Sequence, residues 1–317
     1  MADPAHWIDP EYTAAGALLR ERGLNSLTPV TSSLADCRSM FDRIGAFLNE
    51  HSIALQQERD ICVPGPHGAI PCRLYHPDDI ERPPLIVYAH GGSFALGGLS
   101  AWDGMLRDLV RQSHTAVLSV DYRLAPEHRF PVAYDELRAV VRFVVNEGAK
   151  LKVDPSRLAA GGDSAGANLA LGAALGLRDG GDSPLTFLLL IYGVYSTEID
   201  TDAWRTFGTG AYGLSGTQMR WIYENYLSNP DQLTDWRVAP LLADMYRMPP
   251  MHLTVGTLDP LQDDNHALAA RLAQAGIAYE LAICKGLPHG FIRYGALVDR
   301  ARRAVSECAR ALAKALT

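Results

Sequence analysis

Residues 161–166 read Gly-Gly-Asp-Ser-Ala-Gly, a G-x-S-x-G pattern centred on Ser164. The pattern closes an apolar run ending at Gly161 and opens a small-residue stretch after Gly166, so Ser164 falls on a turn between a strand and a helix. Such a turn strains the serine backbone and exposes its hydroxyl, and glycines two residues to either side keep neighbouring side chains away. The five-residue match alone is weak; its strand–turn–helix setting is what points to a nucleophile. A glycine-rich phosphate loop is the competing reading, but no lysine follows the glycines and this stretch contains no G-x-G-x-x-G.

A serine hydroxyl is a poor nucleophile without a base, and the base needs an acid to orient it. In sites built on such an elbow the acid and then the histidine follow the serine in chain order. His252 opens the run "MHLTVGT" and reads as a strand-end residue with its hydrogen bonds met, while His266 lies on the helical stretch "DDNHALAARLAQAG" and reads as surface. His289 sits in "GLPHGF", a loop after the last strand that can aim a side chain into a crevice, and is the expected base. Asp259 follows its strand directly and is the expected acid; Asp263 is the fallback, because Asp263 and Asp264 already belong to the next helix. There Asp259 would fix the tautomer of His289 and stabilise the imidazolium without itself taking the proton.

Acyl transfer also needs donors for an oxyanion. The amide of Ala165 is one expected donor, and Gly91, Gly92 and Ser93, in the loop after the strand "LIVYA", are expected to supply the rest. Glycine lets the backbone approach a ligand closely. His90 and Ser93 suggest a rival Ser–His pair, but both lie upstream of the elbow. His90 is expected to brace the loop.

The elements that must position these groups follow from pattern and composition. The 317 residues are 48% apolar and 21% charged, enough chain for a substantial core. A net charge of -7 and the lack of Lys/Arg runs give no footprint for nucleic acid or an anionic membrane. Cysteines 37, 62, 72, 284 and 308 form no C-x-x-C pair, so neither a disulfide framework nor a metal site is expected, and a reducing, cytoplasmic setting is. The N-terminal stretch lacks the basic and apolar regions of a signal peptide, and no segment reaches the roughly 18 apolar residues that span a bilayer. Residues 1–55 read as amphipathic helices, "DPEYTAAGALLRER" and "SLADCRSMFDRIGAFLNE". Over 56–195 and 248–317 an opening hairpin and near-continuous apolar runs alternate with helical patterns, which predicts eight strands in one doubly wound sheet. Residues 196–247 break the rhythm with the helix "SGTQMRWIYENYL" and the aromatics Trp204, Phe207, Tyr212, Trp221, Tyr223 and Tyr226. An insertion there lies over the crevice at the carboxyl ends of the strands. With the N-terminal helices it is expected to form a cap.

Taken together, "HGGSF", "DYRLAPEHRFP" (121–131), "GDSAG", "DPLQDD" and "PHGF" resemble, in order, the bacterial branch of the hormone-sensitive lipase family, over residues 90–291. "IYGVYS", "YENYLSN" and "APLLADMYRMPP" resemble the cap and following loop of its acetyl-esterase-like carboxylesterases. The resemblance implies an α/β-hydrolase fold, an eight-stranded mostly parallel sheet with helices on both faces and a helical cap. It implies hydrolysis of short-chain acyl esters, acetyl to butyryl-like, through an acyl-enzyme, with no cofactor and no metal. It assigns Ser164, Asp259 and His289 to the triad and makes "DYRLAPEHRFP" structural, with no catalytic role for Glu127 or His128. Its partner is a small-molecule ester, with no nucleic acid or membrane, in a monomer or homodimer. The family run is a histidine and three glycines; here the third glycine is Ser93. Its side chain would narrow the site and favour small or particular esters. An amidase or lactonase on the same triad stays open, since the triad performs acyl transfer generally. A non-catalytic receptor, such as the plant gibberellin receptors that resemble this family but lack the base histidine, is disfavoured by His289.

Overall fold

The structure, a computed structural model, describes residues 6–317. Helix α1 (Pro10–Glu21) starts where the Asp9 side chain accepts the Glu11 amide, and α2 (Leu34–Leu48) where Ser33 accepts that of Asp36. The hairpin β1 (Gln57–Gly65) and β2 (Gly68–His76) follows, then β3 (Leu85–Ala89), α3 (Asp103–Ser113), β4 (Ala116–Val120) and α4 (Val132–Glu147). Strand β5 (Leu158–Asp163), α5 (Ala165–Asp179) and β6 (Phe187–Ile191) come next. After β6 the chain leaves the sheet and forms α6 (Asp202–Phe207) and α7 (Gly216–Tyr226) before returning as β7 (Met251–Leu258), α8 (Gln262–Gln274), β8 (Tyr279–Pro288) and α9 (Asp299–Leu316).

The eight strands lie in the order β1-β2-β4-β3-β5-β6-β7-β8. Strand β2 runs antiparallel to both β1 and β4, and every pairing from β4 through β3 to β8 is parallel. Strands β3, β4, β5 and β6 are buried along their whole length, as a parallel strand covered on both faces must be. Side-chain alternation divides them between two cores. Leu85, Val87, Leu118 and Val120 pack with α4, α5 and α8 on one face, while Ile86, Tyr88 and Val117 pack with α3 and α9 on the other. The N-terminal helices divide their apolar contacts: Leu19, Leu24, Ile44 and Leu48 cluster with Tyr294 and Leu297 near the end of the chain, while Ala15, Tyr12 and Phe41 join the core with α3 and α9. Among the described residues no helix is long and apolar enough to cross a membrane.

Candidate active site

Strand β5 runs two residues beyond the expected end at Gly161, and α5 opens at Ala165 rather than after Gly166, so Ser164 alone makes the turn. Sheet pairing explains the extension: Gly162 and Asp163 remain in register with Leu190 and Ile191 of β6. Ser164 has φ 54° and ψ -119°, backbone angles that a side chain tolerates only under constraint. The constraint is close packing, since a Cβ added at Gly162 or Gly166 would collide with the carbonyl oxygen of Ala89 on β3. The Ser164 amide also donates to Ile191 O at 2.9 Å.

From this turn the Ser164 hydroxyl meets His289 Nε2 at 2.9 Å, and His289 Nδ1 meets Asp259 Oδ2 at 2.9 Å. Asp259 is fully buried, and its Oδ1 accepts the Leu261 amide at 2.9 Å, which leaves Oδ2 aimed at the imidazole. The His289 amide donates to Tyr212 O at 3.1 Å, and the Tyr192 ring stands edge-on to the imidazole with centroids 4.9 Å apart. Asp263, the fallback acid, instead accepts the Ala203 amide at the start of α6, at 2.9 Å. His266 is exposed on α8. His252 departs from expectation: it is buried in β7, and neither ring nitrogen has a hydrogen-bond partner among the described residues, Glu280 Oε2 standing 3.7 Å off.

The loop after β3 corrects one expected donor. The Gly91 amide donates to Asp163 Oδ1 at 2.9 Å, so it is committed within the protein and leaves the oxyanion set. The amides of Gly92 and Ser93 have no acceptor among the described residues, and both residues line the crevice above Ser164. Gly92 has φ 110° and its missing Cβ would strike Leu96 O; Ser93 follows at φ 59°. His90 is wholly buried, stacked between Trp102 and Tyr122 at centroid distances of 4.8 and 4.5 Å. Its Nδ1–H donates to Gly91 O at 2.7 Å, Tyr122 OH donates to its carbonyl at 2.7 Å, and burial pulls its pKa down to about 4. No hydrogen bond joins His90 to Ser93 among the described residues, so the rival pair does not exist here.

A crevice of about 450 Å³ opens over Ser164 and His289. Its walls come from the N-terminal segment (Tyr12, Leu27, Phe41), the β3 loop (Gly92, Ser93) and the 196–247 insertion (Leu214, Gln218).

The sequence over residues 86–293 matches the family model described as the alpha/beta hydrolase fold. The chain belongs to that family, in its hormone-sensitive-lipase-like branch. This hydrolase is 33% identical to carboxylesterase NlhH of Mycobacterium tuberculosis over 251 residues, which cover 78% of this chain and 79% of that protein. It is 33% identical to an ethyl acetate hydrolase of Pseudomonas putida over 238 residues, 73% of this chain and 74% of that one. The solved structure of a hyperthermophilic esterase from Pyrobaculum calidifontis superposes with a TM-score of 0.92 at 31% identity, covering 97% of this chain and 98% of that one. By family the chain is a carboxylic ester hydrolase.

Sequence reasoning missed the bracing residue of this hydrolase. Asp163 accepts from the Gly91 amide at 2.9 Å and from Tyr88 OH at 3.0 Å, joining the β3 loop to the residue before Ser164. Burial raises its carboxyl above the usual range, opposed by those two donors. It occupies an x of G-x-S-x-G, where the pattern demands nothing, so no signal could have found it.

Proposed function

We propose that this hydrolase is a serine carboxylesterase acting on short-chain acyl esters, acetyl to butyryl-like. The observation that carries the reading is the hydrogen-bonded relay from Ser164 through His289 to Asp259 at the base of the crevice. Ser164 Oγ attacks the ester carbonyl while His289 Nε2 takes its proton, and the new oxyanion is held by the free amides of Gly92, Ser93 and Ala165. The imidazolium gives its proton to the leaving alkoxide, which departs as the alcohol. Water, deprotonated by His289, then attacks the acyl-enzyme and releases the acid and free Ser164. The N-terminal helices and the 196–247 insertion act as a cap that excludes bulk water from the crevice. Ethyl acetate hydrolysis, named for the Pseudomonas putida relative, supports the short-chain preference. Five unpaired cysteines suit a reducing, cytoplasmic setting.

The test is a panel of p-nitrophenyl acetate, butyrate and octanoate against the matching anilides. Acetate and butyrate esters are expected to turn over fastest and anilides far more slowly; faster anilides would make the protein an amidase. Ser164→Ala is expected to abolish turnover and burst-phase acylation together, and a Ser164→Ala variant that still hydrolyses esters would refute the nucleophile.

A further inference from the structure

The crevice holds a cation with no ion-pair partner among the described residues. Arg293 lies four residues after the base, on the 3-10 turn Phe291–Tyr294, and lines the same crevice as Ser164 and His289. Its guanidinium carbon stands 4.2 Å from the ring centroid of Phe41 on α2 and 4.7 Å from that of Trp102. Nε donates to Ala101 O at 3.2 Å. These contacts fix the plane of the fork. Nη2 is buried against Gly45 of α2 without an acceptor, Nη1 is not buried and has no acceptor either, and the guanidinium forms no ion pair among the described residues. Asp42 and Asp163 act on it only through space. Burial pushes the guanidinium pKa below its ordinary value, the sign of a charge held without adequate solvation.

An oriented guanidinium with an open Nη1 can donate a charge-assisted bond to a carboxylate, and an unpartnered buried charge is stabilised most by the ion that completes it. We propose that Arg293 binds a carboxylate of the substrate, so that the preferred esters are short esters carrying an anionic group, of which half-esters of small dicarboxylic acids are the simplest. The proposal rests on the esterase reading above. Arg293 sets specificity here; the triad performs the chemistry. A neutral ester leaves the guanidinium unpaired and forgoes that binding energy.

Two matched pairs test it: monoethyl succinate against ethyl valerate, with the charge in the acyl part, and O-butyrylglycolate against propyl butyrate, with the charge in the alcohol part. In at least one pair the charged-to-neutral ratio of kcat/KM is expected to fall by about tenfold or more in Arg293→Gln, mainly through KM, which is the loss of one charge-assisted interaction. Arg293→Lys is expected to restore part of the ratio. A ratio that stays unchanged in both pairs overturns the proposal even where both rates drop, because damage to packing lowers both members alike. Calorimetric binding of succinate to Ser164→Ala, with and without Arg293→Gln, reads the anion site without turnover. Arg293-dependent succinate binding in a protein that hydrolyses neither pair would remove the esterase reading and leave the anion site standing. Ester turnover with neither ratio nor binding dependent on Arg293 would remove the anion site alone.

Discussion

At Ser93 the backbone adopts φ 59°, in the left-handed region where glycine is at ease and a Cβ is not. The neighbouring Phe94 sits at φ 57° and Gly92 at 110°, so the loop reaches its shape through consecutive residues of unusual handedness. That shape leaves the Gly92 and Ser93 amides without internal acceptors, and the Gly91–Asp163 bond anchors it. Ser93→Gly relieves the steric cost while adding chain entropy to the unfolded state, so a gain of up to about 1 kcal/mol is expected in urea unfolding. The same change removes a side chain lining the crevice and is expected to shift the chain-length profile toward longer acyl groups. An unaltered profile on p-nitrophenyl acetate through octanoate would show that the serine side chain does not shape the pocket.

Among the elements, α2 is tied to the loop after β3 by Arg38. Arg38 donates from Nη1 and Nη2 to the two carboxylate oxygens of Glu127 at 2.7 Å each, and also to Ala95 O at 2.9 Å and Ala125 O at 3.0 Å. Glu127 is held down to about 2 by that guanidinium. The ion pair is half-exposed and contributes little by itself, but the carbonyl bonds hold α2 two residues downstream of Ser93. "DYRLAPEHRFP" therefore supplies a docking surface for α2, in keeping with the structural role its resemblance implies. Arg38→Ala is expected to weaken the docking of α2 by about 1–2 kcal/mol and speed hydrogen exchange of α2 amides while α9 keeps its protection. Arg38→Lys, which lacks the fork, is expected to recover little. Equal exchange in α2 of wild type and Arg38→Ala would mean that Arg38 does not hold the helix.

For the whole molecule, the carboxyl of Asp264 links α8 to the exit of β6, accepting the amides of Tyr195 and Ser196 at 2.7 and 2.8 Å. Burial, the largest influence, lifts its pKa to about 7 against the two amide donors. Unfolded, it titrates near ~4. Between about pH 4 and 7 the folded state thus holds more of this proton than the unfolded state, so its contribution to stability falls as pH rises through that window. His90 acts in the opposite sense: lowered to about 4, it adds stability as pH rises from about 4 toward 6.5. Asp264→Asn keeps an oxygen for both amides and removes the first slope alone. Urea unfolding at pH 4.5 and 7.5 is expected to show a smaller loss, or a larger gain, of stability with pH in that variant than in wild type. Parallel pH dependences would rule out Asp264 as a linked group.

What the amino-acid pattern determined by itself is whatever depends on near neighbours or on chain order. Apolar runs of strand length, caps such as Ser33, and the glycines around Ser164 are local, so the eight strands and the strand–turn–helix at Ser164 were legible, and chain order together with position just after a strand made Asp259 and His289 the expected acid and base. The tertiary structure decided which groups are already partnered. Gly91 looks like its neighbour Gly92 in sequence, yet only its amide faces Asp163, 72 residues away. Nothing in the sequence marks Arg293, yet it packs against Phe41 and Trp102 in the crevice beside His289 with no ion pair among the described residues. Hydrogen-bond satisfaction and charge balance depend on distances between remote segments, and no periodicity records those.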